Sequence, residues 1–214
     1  MKINYKNFEI EVYADPDYIA NIYDIYTDNK RQYEIIYSEF EVEPSENPDF
    51  FYTSNYAIIV KESEKEISSA IICETDRQTM LNKNSFIIEN DKIWICVCNK
   101  IYCLEIPSLE LIWQKDFDAF SNFYLHKLED DFIIHGELEI FRITKEGEIL
   151  WRFGGRDIWV SIDGKVECSI KDNKIILFDF ESNEYVLDFE GKELEFNPRI
   201  IEIETKKKWW QIFG

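Results

Sequence analysis

Cys96, Cys98 and Cys103, with His126 and His135 further along, are the residues of this 214-residue sequence whose types could together hold a transition metal. On an extended strand Cys96 and Cys98 share one face, Cys103 falls on the hairpin neighbour, and the histidines fall on the strands that follow. Thiolate and imidazole are zinc donors. Structural zinc sites, however, draw their ligands from loop knuckles, and thiols inside β cores are inert. The set therefore reads as buried free thiols, together with Cys73 and Cys168, and no metal or other cofactor is expected. A Ser/His/Asp or Cys/His nucleophilic site has to use one of the two histidines, and neither stands in a nucleophile motif. Asp130-Asp131 falls in a turn, where aspartate bonds to local backbone. Gly154-Gly155 lacks the Lys-Ser/Thr of a phosphate loop and reads as a bend. No catalytic residue is expected, and the chain reads as a non-enzyme.

Binding chemistry is better represented. Glu39, Glu41, Glu43, Glu46 and Asp49 form an acidic, Pro-containing loop beside Phe50, Phe51 and Tyr52. Carboxylates that speed encounter, next to aromatic anchors that bury area, are what a surface needs to bind a basic protein. A solvated loop with its aromatics turned inward is the alternative. A second candidate contact is the C-terminal Lys206–Gly214 segment with Trp209 and Trp210, which either closes a sheet or docks on a partner. Forty-three acidic against 24 basic residues give a net charge of −19. Such a field repels phosphate backbones and anionic lipid, so neither nucleic acid nor membrane is expected as a partner. The same charge also serves plain solubility.

The elements that must position these residues are strands. Twelve Tyr, 16 Phe and 6 Trp against seven Gly favour pleated, half-buried surfaces. No run approaches the ~18 apolar residues of a membrane span, and the N-terminus lacks an apolar leader core, so a cytoplasmic protein is expected.

Three segments align without gaps: residues 100–113 (KIYCLEIPSLELIW), 138–151 (LEIFRITKEGEILW) and 174–187 (KIILFDFESNEYVL). Each is an apolar strand, a polar turn and a second apolar strand, with Glu110, Glu148 and Glu184 at the eleventh position. Residues 56–69, with Glu66, are a weaker fourth copy. Further strands are expected at Phe86–Glu89, Ile93–Cys98, Phe123–Leu128, Phe132–His135, Ile158–Ile162 and Val166–Ile170, divided by Asn90-Asp91, Asp130-Asp131, Asp163-Gly164 and Asp172-Asn173. About four strands per repeat of 36 to 40 residues is the arithmetic of a propeller blade.

Over about residues 86–195 the copies resemble the blades of PQQ-like and related β-propellers, whose pattern is roughly Asp-x-x-Thr-Gly with Trp four residues after the Gly. Gly147 and Trp151 keep that spacing; Glu105 with Trp113, and Asp179 with Asn183, keep parts of it. The resemblance implies an all-β fold of antiparallel blade-like repeats, forming a small or incomplete propeller, and supports fold rather than function. Residues 1–54 read as an acidic, β-rich extension of the 55–214 blade region, packed with it as one unit. It holds a hairpin about Lys6-Asn7, a short helix or second hairpin after Asp15-Pro16, and a strand at Tyr33–Phe40. The expected function is a non-catalytic intracellular protein-binding module, in its specific form an acidic immunity-type inhibitor of a basic toxin. A scaffold component, or a small-ligand or metal binder using a propeller mouth, are the alternatives.

Overall fold

Among the described residues, short runs of branched and aromatic residues, many of them joined by tight turns, build the elements. The computed structural model describes residues 1–18, 31–38, 54–75, 79–161 and 166–199, and these contain strands and turns but no helix. The first sheet takes β1 (Lys2–Tyr5), β2 (Phe8–Ala14), β3 (Ile35–Ser38), β4 (Ser54–Glu62) and β5 (Lys65–Glu74), in the order β1-β2-β4-β5-β3. Strands on both sides of residue 54 thus share one sheet. The β1–β2 hairpin turns at Lys6-Asn7 as expected, with Lys6 at φ 53°. The strand expected at Tyr33–Phe40 is β3, and it runs parallel to β5. The helix or hairpin expected after Asp15 opens as a turn, with Tyr18 N–H donating to the Asp15 carbonyl, and otherwise lies outside the described residues.

Three four-stranded antiparallel sheets follow. The second holds β6 (Phe86–Glu89), β7 (Lys92–Val97), β8 (Lys100–Glu105) and β9 (Leu111–Asp116). The third holds β10 (Asn122–Leu128), β11 (Asp131–Gly136), β12 (Glu139–Ile143) and β13 (Ile149–Gly154). The fourth holds β14 (Cys168–Lys171), β15 (Lys174–Phe178), β16 (Glu184–Leu187) and β17 (Glu193–Asn197). Met1–Trp159, with the first three sheets, forms one compact unit, and Val160–Gly214 forms another.

Within the first unit the middle sheet is apolar on both faces, which is why β7 reads as a nearly continuous hydrophobic run. Ile93, Ile95 and Val97 pack against Ile10, Val12, Ile58 and Ile72 of the first sheet. Trp94 and Cys96, on the other face of the same strand, pack against Phe132, Ile134 and Phe141 of the third. A buried ion pair crosses the first of these interfaces: Lys100 Nζ lies 3.0 and 3.1 Å from the two Glu74 carboxylate oxygens, and Tyr102 OH donates to the same carboxylate. In the second unit, Ile175, Leu177, Tyr185 and Leu187 are buried, and Tyr185 lies against Phe196 with ring centroids 4.9 Å apart.

The repeat is real but its third copy is out of phase. In the second sheet Leu109 N–H donates to the Glu105 carbonyl, with Leu109 at φ 60°. The third sheet repeats the turn with Gly147 and Thr144, Gly147 at φ 76°. In the fourth sheet the matching turn joins β16 to β17, where Gly191, at φ 78°, donates to Asp188. Residues 174–187 are instead the β15–β16 hairpin, and its left-handed residue is Ser182 rather than Asn183. That hairpin imitates the motif because Asp179, fully buried, accepts from Asn183 N, Asn183 Nδ2 and Tyr185 OH and so closes a turn of similar length.

Two other expectations change. β7 ends at Val97, and Cys98 enters the turn with φ 53°, so it does not share the strand face of Cys96. Residues 158–161 form no strand. Trp159 is pinned there, donating its N–H to the Glu137 carbonyl and accepting His135 Nε2–H through its own carbonyl at 2.9 Å. A Cβ on Gly155 would stand 2.6 Å from the Trp159 ring, so that bend requires glycine.

Candidate protein-interaction surface

An alternating strand that places two apolar residues in succession must either bury both or break its ladder. In this chain it breaks. Opposite Cys103 and Leu104 stand Trp113 and Leu111, leaving Ile112 as the extra residue of a β-bulge. The third sheet repeats this with Leu150 between Ile149 and Trp151, while the first and fourth carry a bulge with a lone aliphatic residue between polar ones, Ile67 between Glu66 and Ser68 and Leu194 between Glu193 and Glu195. All four extra residues are branched aliphatics, and all are exposed, from 38% at Ile67 to 51% at Leu150.

The second and third sheets bring two such corners side by side. Trp113 Nε1–H donates to the Lys145 carbonyl at 3.1 Å, and Lys115 Nζ pairs with Glu148 at 2.7 Å. Leu111 and Ile112 on one sheet and Ile149 and Leu150 on the next are each between 41% and 51% exposed. Around them Glu110, Asp116 and Glu146 are exposed and have no basic partner among the described residues. Lys145 is taken up by Glu89 at 2.9 Å, and Lys115 by Glu148 and the carbonyls of Glu146 and Gly147. The result is two neighbouring aliphatic corners with exposed carboxylates beside them. Sequence reading missed it, although the runs Leu111-Ile112-Trp113 and Ile149-Leu150-Trp151 carry the signal.

Glu39, Glu41, Glu43, Glu46, Asp49, Phe50, Phe51, Tyr52, Trp209 and Trp210 lie outside the described residues. The structure separates the metal candidates. Cys96 and Cys103 face the core between the second and third sheets, whereas His126 and His135 lie on the opposite face of the third. Among the described residues no three Cys, His, Asp or Glu side chains converge as a metal site. Burial pushes the Cys103 thiol up to about 12 and Cys96 higher still, so both stay protonated. Burial also draws His135 down to about 4 and lowers His126, leaving both imidazoles neutral near pH 7.

No family model and no curated protein matches this sequence. Solved structures do. BamB from Moraxella catarrhalis is 11% identical, covering 71% of this chain and 46% of its own, with a TM-score of 0.51. The fold is that of β-propeller blades. The WD40 β-propeller domain of Doa1 (8% identity, 69% and 49% covered, TM-score 0.46) and the Neurospora crassa Pan2 WD40 domain (10%, 54% and 37%, 0.44) also match. The chain spans about half the length of these propellers or less. At such identity the likeness carries architecture alone.

Proposed function

We propose that this propeller-like chain is a protein-binding module, and that the partner is a basic protein received on the outer corners of the second and third sheets. The observation that carries this reading is the exposed quartet Leu111, Ile112, Ile149 and Leu150 with exposed carboxylates beside it. Apolar burial there supplies affinity, and the net charge of −19 speeds encounter with a cationic surface. In its specific form the module is an acidic immunity-type inhibitor that neutralises a basic toxin inside the cell. Its high acidity supports that form, and a toxin gene immediately upstream would support it further.

The test is capture from lysate of the source organism with tagged protein as bait, washed at low and high salt. The inhibitor reading expects one basic protein, released by salt and weakened when Glu110, Asp116 and Glu146 are changed to Lys. Capture that ignores salt and these charges contradicts it and favours a scaffold role.

A further inference from the structure

Ile112 and Leu150 are joined on the first sheet by Ile67, the extra residue of its bulge and 38% exposed. Side-chain bonds hold these three corners next to one another. Ser68, directly after Ile67, donates its hydroxyl to the Pro107 carbonyl in the turn before β9, and Tyr37 OH donates to the Leu109 carbonyl of that turn at 2.6 Å. Trp113, directly after Ile112, donates in the same way to the Lys145 carbonyl in the turn before β13. Exposed aliphatic residues therefore recur from sheet to sheet, at Ile67, then Leu111 and Ile112, then Ile149 and Leu150, across the strands rather than along one of them.

That direction limits what can cover them. A strand added at a sheet edge runs along one sheet and pairs its backbone with that edge alone. β9 and β13 stand at the edges of their sheets, and each carries a bulge, which twists an edge away from an incoming strand. In the first sheet β3 already occupies the place beside β5, from Ile35 opposite Ala70 to Ser38 opposite Cys73. A segment that crosses from sheet to sheet finds no ladder to join and has to satisfy its own N–H and C=O groups, as an α-helix does. Packed sheets stand about 10 Å apart and a helix rises about 10 Å in seven residues, so apolar side chains at i, i+3 or i+4 and i+7 step from one corner to the next. The charges beside the corners are of one sign where they are unpaired. Glu110 precedes Leu111, Asp116 closes β9 and Glu146 lies in the turn before β13, all exposed and without a basic partner among the described residues.

We infer that the segment of the partner received here is a basic amphipathic helix lying across the corners of the first three sheets. Its apolar face covers Ile67, Ile112, Ile149 and Leu150, and lysines or arginines on its flanks meet Glu110, Asp116 and Glu146. The inference rests on the reading of these corners as a protein-binding surface and names the form of what binds.

Two dye-labelled peptides of leucine and lysine, identical in composition, serve as probes: LKKLLKLLKKLLKL, apolar at helical period, and LKLKLKLKLKLKLL, apolar at every second residue. Fluorescence anisotropy with the unchanged protein is expected to show saturable binding of the first, about tenfold tighter or more than the second, and the bound peptide should be helical by circular dichroism. Changing Leu111, Ile112, Ile149 and Leu150 to Ser should weaken it by about tenfold or more. Equal or tighter binding of the alternating peptide, or no saturable binding of the helical one, overturns the inference. Undiminished binding by the Ser variant overturns it as well, because the net charge alone would then hold the peptide. The comparison of the two peptides on unchanged protein decides the matter even if the variant does not fold. A basic protein held at the corners by bait that does not bind the helical peptide would remove the helix and leave the protein-binding reading in place.

Discussion

Trp113 on β9 and Trp94 on β7 each donate an indole N–H to the carbonyl of Lys145, at 3.1 Å, so one turn of the third sheet anchors two strands of the second. The turn can sit that close because Gly147, two residues on, has no side chain. A Cβ there would lie 3.1 Å from the Trp113 ring and from Lys115 Cδ, at a φ of 76°.

Gly147→Ala is therefore expected to destabilise the protein by about 1–3 kcal/mol, through left-handed strain and displacement of Trp113. Gly154→Ala, with open space around it, should change stability by less than about 0.5 kcal/mol. Urea midpoints of the two variants, compared with unchanged protein, check this.

The Lys100–Glu74 pair is buried at both ends. Lys100→Met removes the cation that Glu74 meets in the interface of the first two sheets and should cost about 3–5 kcal/mol. The double change Lys100→Met with Glu74→Gln should recover a large part of that loss, since both members of the pair are then neutral. A double variant as unstable as the single one would place the cost in packing rather than charge.

His135 gives a pH dependence of definite sign. Burial holds its folded value at about 4, below the ordinary 6.5, so the unfolded chain takes up the proton first. The neutral imidazole's full contribution is present above about pH 6.5 and is lost as pH falls toward 4, on the order of 3 kcal/mol. His126, also lowered by burial, acts in the same direction. Glu11, held at about 2 by Lys2 and Lys61, adds its own loss only below about pH 4.5. Unfolding midpoints from pH 4 to 8 should slope downward toward acid, and His135→Gln should flatten the slope above pH 5.

All five cysteines are buried, and burial raises Cys73, Cys103 and Cys168 to about 12. Native protein should show no thiol reacting with a disulfide reagent at neutral pH, and five after unfolding in urea. A fast-reacting native thiol would contradict the packing of the sheet cores.

Strands were legible as short apolar runs bounded by turn residues, and Phe86–Glu89, closed by Asn90-Asp91, emerges with the expected bounds. Left-handed pairs such as Asn90-Asp91 and Asp172-Asn173 were legible because few other residues tolerate positive φ. The phase of the last copy was not, because Asp179 and Asn183 close a turn much like the one that Asp188 and Gly191 close nine residues later. Trp159 was read as strand by its neighbours' hydrophobicity, while its bonds to Glu137 and His135 join residues distant in sequence. The aliphatic corners escaped notice for a related reason. Consecutive apolar residues look like ordinary core, and only the ladder shows that Ile112 and Leu150 have been pushed out of it.

The most direct test changes Leu111, Ile112, Ile149 and Leu150 to Ser together and compares the variant with unchanged protein as bait at low and high salt. Those positions are about half exposed, so some loss of stability is expected, and an unfolding transition that stays cooperative shows that the variant is still folded. The account predicts that a basic protein retained by the unchanged bait at low salt is lost from the variant. Equal retention of the same protein by both baits, or no specific protein on either, would contradict it.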